Sequence, residues 1–219
     1  MSTTLAQSER AQLADLFDHV GPQAPTLCEG WLTADLAAHL VVRESDPVAA
    51  PGVIVPAFED LTRRRMDRLL ADGSWTQLVD RFRHPGRLLR TVPGLDQAMN
   101  SVEFFIHHED VRRAVDPDAA PRLLRVDQER QLWRQLGWQA RLALRKAPTG
   151  VVVENALDPE EPLRVKSGSS TVTLAGKPSE VLLWLSGRRE VADVELIGDP
   201  ADLQDSFWRI NSRTRPASA

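Results

Sequence analysis

The chain contains a single cysteine, Cys28, among its 219 residues. One thiol excludes an internal disulfide and any zinc or iron–sulfur site built from several thiolates. Lysine is nearly missing as well: the basic residues are almost all arginine, with lysines only at 146, 166 and 177. Basic charge is not in excess, because 27 Lys and Arg stand against 31 Asp and Glu, for a net charge of −4. Nucleic acids and anionic membranes are ordinarily met by a basic face, so neither partner is expected. No stretch approaches the roughly 20 apolar residues of a membrane span. The opening "MSTTLAQSERAQLADLF" is polar, helical in pattern and without an apolar signal core. A soluble, cytoplasmic protein is the expectation.

What is present has two grammars. Up to about residue 148 the pattern is helical. Leu5, Leu13, Leu16, Phe17 and Val20 recur at helical spacing, and Thr33 reads as an N-cap before Leu36, Leu40 and Val41. Prolines at 47, 51 and 56 make 45–56 a loop. A further helix ends at Gly73, Ser74 caps a shorter one, and longer helices are expected over about 95–115 and 127–146. Such helices joined by short connections favour a bundle. After Pro148 come short β-branched runs, "GVVVENA", "LRVKSG" and "STVTLAG", which read as strands. "PSEVLLWLSG" reads as a helix stopped by Gly187, "VADVELIGD" as a strand and "PADLQDSFWRIN" as a closing helix. The expected organisation is α+β: a helical domain over 1–148, a small α/β domain over 149–213, and a frayed tail over 214–219.

The helix at 95–115 carries the chemistry in "SVEFFIHHED". At roughly 100° per residue, Leu95, Met99, Val102 and Ile106 form an apolar stripe, with Glu103, His107 and Asp110 on a strip beside it. His108 and Glu109 point elsewhere and are expected to be solvated. Glu103 and His107, four apart, can reach one point, which is how a single helix donates two ligands to a divalent metal. His39 should face the bundle and is the candidate for a third ligand. Two imidazoles and a carboxylate with open positions suit a catalytic zinc, and Asp110 can hold an imidazole tautomer by hydrogen bonding. The same residues also fit an ordinary amphipathic helix with a polar side. Cys28 reads as a small buried hydrophobe, Trp31 and Trp184 as core, and His19 and His84 as residues near helix ends.

"LCEGWLTADLAAHL", with Trp31, Asp35 and His39, resembles the opening segment of the mycothiol-dependent maleylpyruvate isomerase family. "EFFIHHED" resembles that family's second metal motif, and "STVTLAGKPSEVLLWLSGRREVADVELIGDP" its C-terminal unit, so the resemblance spans most of the chain. It implies a DinB-like four-helix bundle followed by a small sterol-carrier-like α/β domain. Metal ligands would be His39, Glu103 and His107, with Asp110 in support. The cofactors implied are a divalent metal, zinc above others, and mycothiol, the small thiol of actinobacteria. Its partners would be a small-molecule thiol and an electrophile, with the protein a monomer or homodimer. Arg188, just past the Gly187 that stops a helix, would either pair with a carboxylate of the thiol or substrate at the domain junction or stand at the surface. The activity implied is isomerase or S-transferase chemistry. A metal-binding protein without catalysis, such as a sensor or a partner-binding module, is the competing reading.

Overall fold

A computed structural model describes residues 4–45, 59–84, 86, 95–208 and 213–216. They fall into two compact units, 1–119 and 120–219.

Among the described residues the first unit holds five helices: α1 (Leu5–Val20), α2 (Thr33–Ser45), α3 (Glu59–Asp72), α4 (Trp75–Arg83) and α5 (Leu95–Val115). The starts of α1 and α4 follow local chemistry. Thr4 and Ser74 accept from the N–H groups of Gln7 and Gln77, whose side chains answer the cap residues' own N–H groups. Thr33 differs from its expected role. It is the first residue of α2, and its hydroxyl donates to the Gly21 carbonyl at 2.5 Å while Asp35 accepts from the Leu32 N–H at 2.9 Å. Apart from Ser45, which closes α2, the expected 45–56 loop lies outside the described residues.

The core of this unit is aromatic and aliphatic. Phe82 meets Phe17 and Phe104 edge to face, with ring centroids 5.9 and 5.2 Å apart, and Leu13, Leu36, Leu40 and Val79 are buried around them. Each such side chain contributes about 1.5–3 kcal/mol by leaving water. α5 packs along α1, and every residue from Phe104 to Val111 is buried. His108 and Glu109 are therefore not solvated, contrary to expectation. His108 Nδ1 lies 2.9 Å from Glu9 Oε2 of α1, while Glu109 accepts from Arg112 at 2.7 Å and Arg113 at 2.5 Å. The helix lacks a solvent side here because α1 and α5's own arginines supply the opposite charges that make burial tolerable. Of the expected apolar stripe, Ile106 is buried and Val102 half-buried; the side chains of Leu95 and Met99 lie outside the described residues.

The second unit contains α6 (Val126–Ala143), β1 (Gly150–Asn155), β2 (Asp158–Lys166), β3 (Thr171–Gly176), α7 (Pro178–Leu185), β4 (Val194–Gly198), α8 (Pro200–Leu203) and β5 (Arg213–Pro216). The sheet order is β2-β1-β3-β4-β5, with β1–β3 and β4–β5 parallel and the other neighbours antiparallel. Alternation puts Val151, Val153, Val172, Leu174, Val194 and Leu196 on the buried side. α7 packs on β3 and β4, and α6 on α7. Glu129 of α6 takes the N–H and hydroxyl of Ser179 at 2.9 and 2.8 Å, satisfying the start of α7. Gly187, at φ +89°, ends α7 as its sequence position suggests.

Helices plus a mixed sheet make the molecule α+β, as expected. The units, however, divide between Ala119 and Ala120, ahead of the composition change near 148. The reason is α6, a helix whose Leu132, Leu136 and Ala140 are buried and which packs on α7 of the second unit. Two further differences concern the C-terminal region. The closing helix is only one turn, after which Trp208 stacks on Trp184 with centroids 6.0 Å apart. Residues 213–216, which include the first half of the expected 214–219 tail, pair with β4 as an edge strand.

Candidate metal centre

α2 carries His39, and α5 carries Glu103 and His107 one turn apart. One carboxylate oxygen, Glu103 Oε1, lies 3.2 Å from His107 Nε2 and 3.6 Å from His39 Nε2. The three potential ligand atoms all fall within 4.8 Å of one another. The two imidazoles stand edge to face at 5.6 Å. The Glu103 side chain is 25% exposed against 8% and 11% for the two histidines, so the opening to solvent is on the carboxylate side.

Behind Glu103 runs a chain of polar contacts across three helices. Arg43 Nε is 3.5 Å from Glu103 Oε1, and its Nη1 donates to Asn100 at 2.5 Å. Asn100 donates to Glu44 at 2.7 Å, and Glu44 pairs with Arg10 at 2.6 Å. Arg10 in turn lies over the Phe82 and Phe104 rings. The carboxylate is thus held by groups fixed to the hydrophobic core.

Asp110 is fully buried, with Oδ2 2.9 Å from His107 Nδ1. A proton on Nδ1 then points at Asp110, and the lone pair of neutral His107 is left on Nε2, facing Glu103 and His39. Burial alone would lower the pKa of His107, but hydrogen bonds with Asp110, Cys28 and Glu103 outweigh it and hold the metal-free imidazole well above its ordinary range. His39 is shifted the other way, chiefly by burial, against the pull of Glu103. Burial would raise Glu103, yet hydrogen bonds from both histidines and the charge of Arg43 keep it well below the usual carboxylate range. One neutral imidazole, one imidazole carrying a displaceable proton and one carboxylate form a donor set that fits a divalent cation such as zinc.

Arg188 belongs to the second unit, where its Nη1 donates to the Ser186 carbonyl at 2.6 Å. His84 is exposed at the end of α4, with Nδ1 3.0 Å from Asp80. Two further residues of the site, Cys28 and Trp31, read from the sequence as core. Cys28 Sγ is 3.2 Å from Asp110 Oδ2 and 3.8 Å from His107 Nδ1, partners 82 and 79 positions away. Trp31 is half-buried with its ring 5.0 Å from His39, so it is part of the site's wall as well as packed on the core. Both sit on the 21–32 connection, which Gly30 turns at φ +75° and which Leu27 fastens to α5 through the Asp110 carbonyl at 3.1 Å.

No family model matches the chain, and no curated protein is similar to it. Among solved structures it is similar to the crystal structure of the mycothiol-dependent maleylpyruvate isomerase, with a TM-score of 0.52 at 14% identity over 87% of this chain and 90% of that one. A histidine-to-alanine variant of that enzyme aligns over the same shares at 15% identity and a TM-score of 0.47. At this identity the likeness speaks for the fold, a DinB-like helical domain followed by a small α/β unit.

Proposed function

We propose that the chain is a metal-dependent, thiol-using enzyme, an isomerase or S-transferase that joins mycothiol or a similar small thiol to a small electrophile. The observation that carries this reading is the meeting of His39 Nε2, His107 Nε2 and Glu103 Oε1 at one partly open point. The fold shared with the mycothiol-dependent isomerase supports the choice of a thiol. The metal, on this reading, is zinc, the ligands are His39, Glu103 and His107, and the protein is cytoplasmic. No helix among the described residues is long and apolar enough to cross a membrane, which agrees with small soluble reactants.

When bound, a divalent cation lowers the proton affinity of a thiol set against it, so the thiol is a thiolate at neutral pH. The chain's own residues do the positioning. Asp110 keeps His107 in the tautomer that presents Nε2, and Arg43, 3.5 Å from Glu103 Oε1, helps to aim the carboxylate. Trp31 packs its ring 5.0 Å from that of His39. In an isomerase, the small thiol's sulfur adds to a conjugated double bond, the resulting single bond rotates, and the sulfur leaves. In a transferase the sulfur stays on the electrophile. Arg188 is assigned to a carboxylate of thiol or substrate.

Metal content by plasma mass spectrometry, on untagged wild type and His39→Ala, tests the ligand set. About one metal per wild-type chain, lost in the variant, is expected; a wild type that neither holds nor takes up zinc overturns the reading. Cobalt in place of zinc tests the thiol. If small thiols leave its spectrum unchanged, the thiol half fails and a non-catalytic metal-binding protein remains.

A further inference from the structure

We propose that the chain has a second cation position, formed by Cys28 Sγ, Asp110 Oδ2 and His107 Nδ1. It lies on the opposite ring nitrogen of the imidazole whose Nε2 faces Glu103 and His39. The three atoms lie within 4.8 Å of one another. Their separations are 2.9 Å for nitrogen to oxygen, 3.2 Å for sulfur to oxygen and 3.8 Å for sulfur to nitrogen. A tetrahedral zinc-sized cation, with metal–sulfur bonds of about 2.3 Å and metal–nitrogen or –oxygen bonds of about 2.0–2.2 Å, has ligand edges of roughly 3.3–3.6 Å. The observed triangle needs shifts of a few tenths of an ångström to match.

The frame that holds this triangle is firm on both sides. His107 and Asp110 are one turn apart on the stretch of α5 from Phe104 to Val111 in which every residue is buried, and Asp110 is fully enclosed. Cys28 sits on the 21–32 connection, whose neighbouring Leu27 N–H donates to the carbonyl of Asp110 itself. A main-chain bond therefore sets the distance between the thiol-bearing loop and the carboxylate-bearing helix. Cys28 is half-buried rather than sealed, which leaves a side for a cation to enter.

Donor softness separates this position from the first. A thiolate with one imidazole and one carboxylate favours thiophilic cations such as cadmium, copper(I) or zinc over magnesium or calcium. Binding expels two protons to solvent, one from the Cys28 thiol and one from His107 Nδ1, and no electrons move. The second position needs neither His39 nor Glu103, so it does not rest on the function proposed above.

Cadmium titration of the metal-free full-length protein, without added thiols, tests it through near-ultraviolet thiolate-to-cadmium absorption. The chain has one cysteine, so any such band belongs to Cys28. One cadmium per chain should produce the band in wild type and in Glu103→Gln alike, and Cys28→Ala should abolish it. Asp110→Asn should weaken that binding by about tenfold or more. Absence of the band in wild type at excess cadmium overturns the proposal. So does half a cadmium per chain, which would mean two chains joined through their thiols. An unchanged affinity in Asp110→Asn also overturns it, because it would leave a bare cysteine. X-ray absorption on cadmium-loaded wild type requires no variant: sulfur together with imidazole nitrogen supports the position, and sulfur with oxygen alone sinks it.

Discussion

His107 and His108 are neighbours in sequence, and each meets a carboxylate at 2.9 Å, yet the two sides of α5 on which they stand are built for different ends. On one side His108 faces Glu9, and next to it Glu109 is closed off by Arg112 and Arg113. Each carboxylate there has a facing partner and is itself fully buried. On the other side His107 and His39 both direct a ring nitrogen at one oxygen of Glu103, and that carboxylate is partly open to solvent. The difference lies in convergence and access, since composition is the same. Charges paired off internally specify a helix contact, whereas lone pairs aimed at a shared point with an opening specify a place for something else.

Substitutions on the two sides should therefore separate cleanly. The largest expected effect is on the open side: His39→Ala should lose stoichiometric zinc, read by metal analysis, while the metal-free protein keeps its helical circular dichroism. On the sealed side, Glu109→Ala removes the carboxylate that meets the buried Arg113, and chemical denaturation should register a loss of about 3–5 kcal/mol. Zinc per folded chain should not change; if it does, the two sides are coupled and the comparison fails. Glu9→Ala, which takes the carboxylate away from His108 Nδ1, should cost about 1–3 kcal/mol by the same measurement, again with zinc retained.

The smallest effect, a pH dependence, sharpens the comparison. His107 is raised in the metal-free protein, so the stabilisation from its protonated form is complete below the ordinary imidazole pKa of about 6.5. That stabilisation is lost as pH climbs through the raised value. Zinc displaces this proton, so its affinity should rise over the same interval, and calorimetry in two buffers of different ionisation heat should detect proton release. No proton release at neutral pH would mean that His107 is not the ligand.

Much of this was legible in the sequence, and the failures have physical causes. Helical spacing placed Glu103 and His107 together, because residues four apart share a face whatever surrounds them. Ser74 and Gly187 marked a helix start and stop, because caps and positive φ are local chemistry. Burial of His108 and Glu109 could not be seen, since it depends on Glu9, 99 positions from His108 in the chain. Cys28 was hidden for the same reason: its sulfur meets Asp110 and His107, 82 and 79 positions away. The division between units was misplaced because α6 is helical in pattern while packing beside a sheet. Pattern reports an element's type and leaves its neighbours unstated.

The 21–32 connection has one more implication. Its position is set by the main chain, through Leu27 to the Asp110 carbonyl, Thr33 to the Ala24 carbonyl and the bridge between Pro25 and Leu32. Those bonds spare most side chains of the connection, apart from Gly30, whose positive φ the turn requires, and Thr26, whose hydroxyl bonds the Cys28 N–H and the Trp31 carbonyl. Residues such as Trp31 and Leu32 can thus be exchanged during evolution without moving the helices that hold His39, Glu103 and His107. A scaffold of this kind can change the wall of its site while the three converging side chains stay where they are.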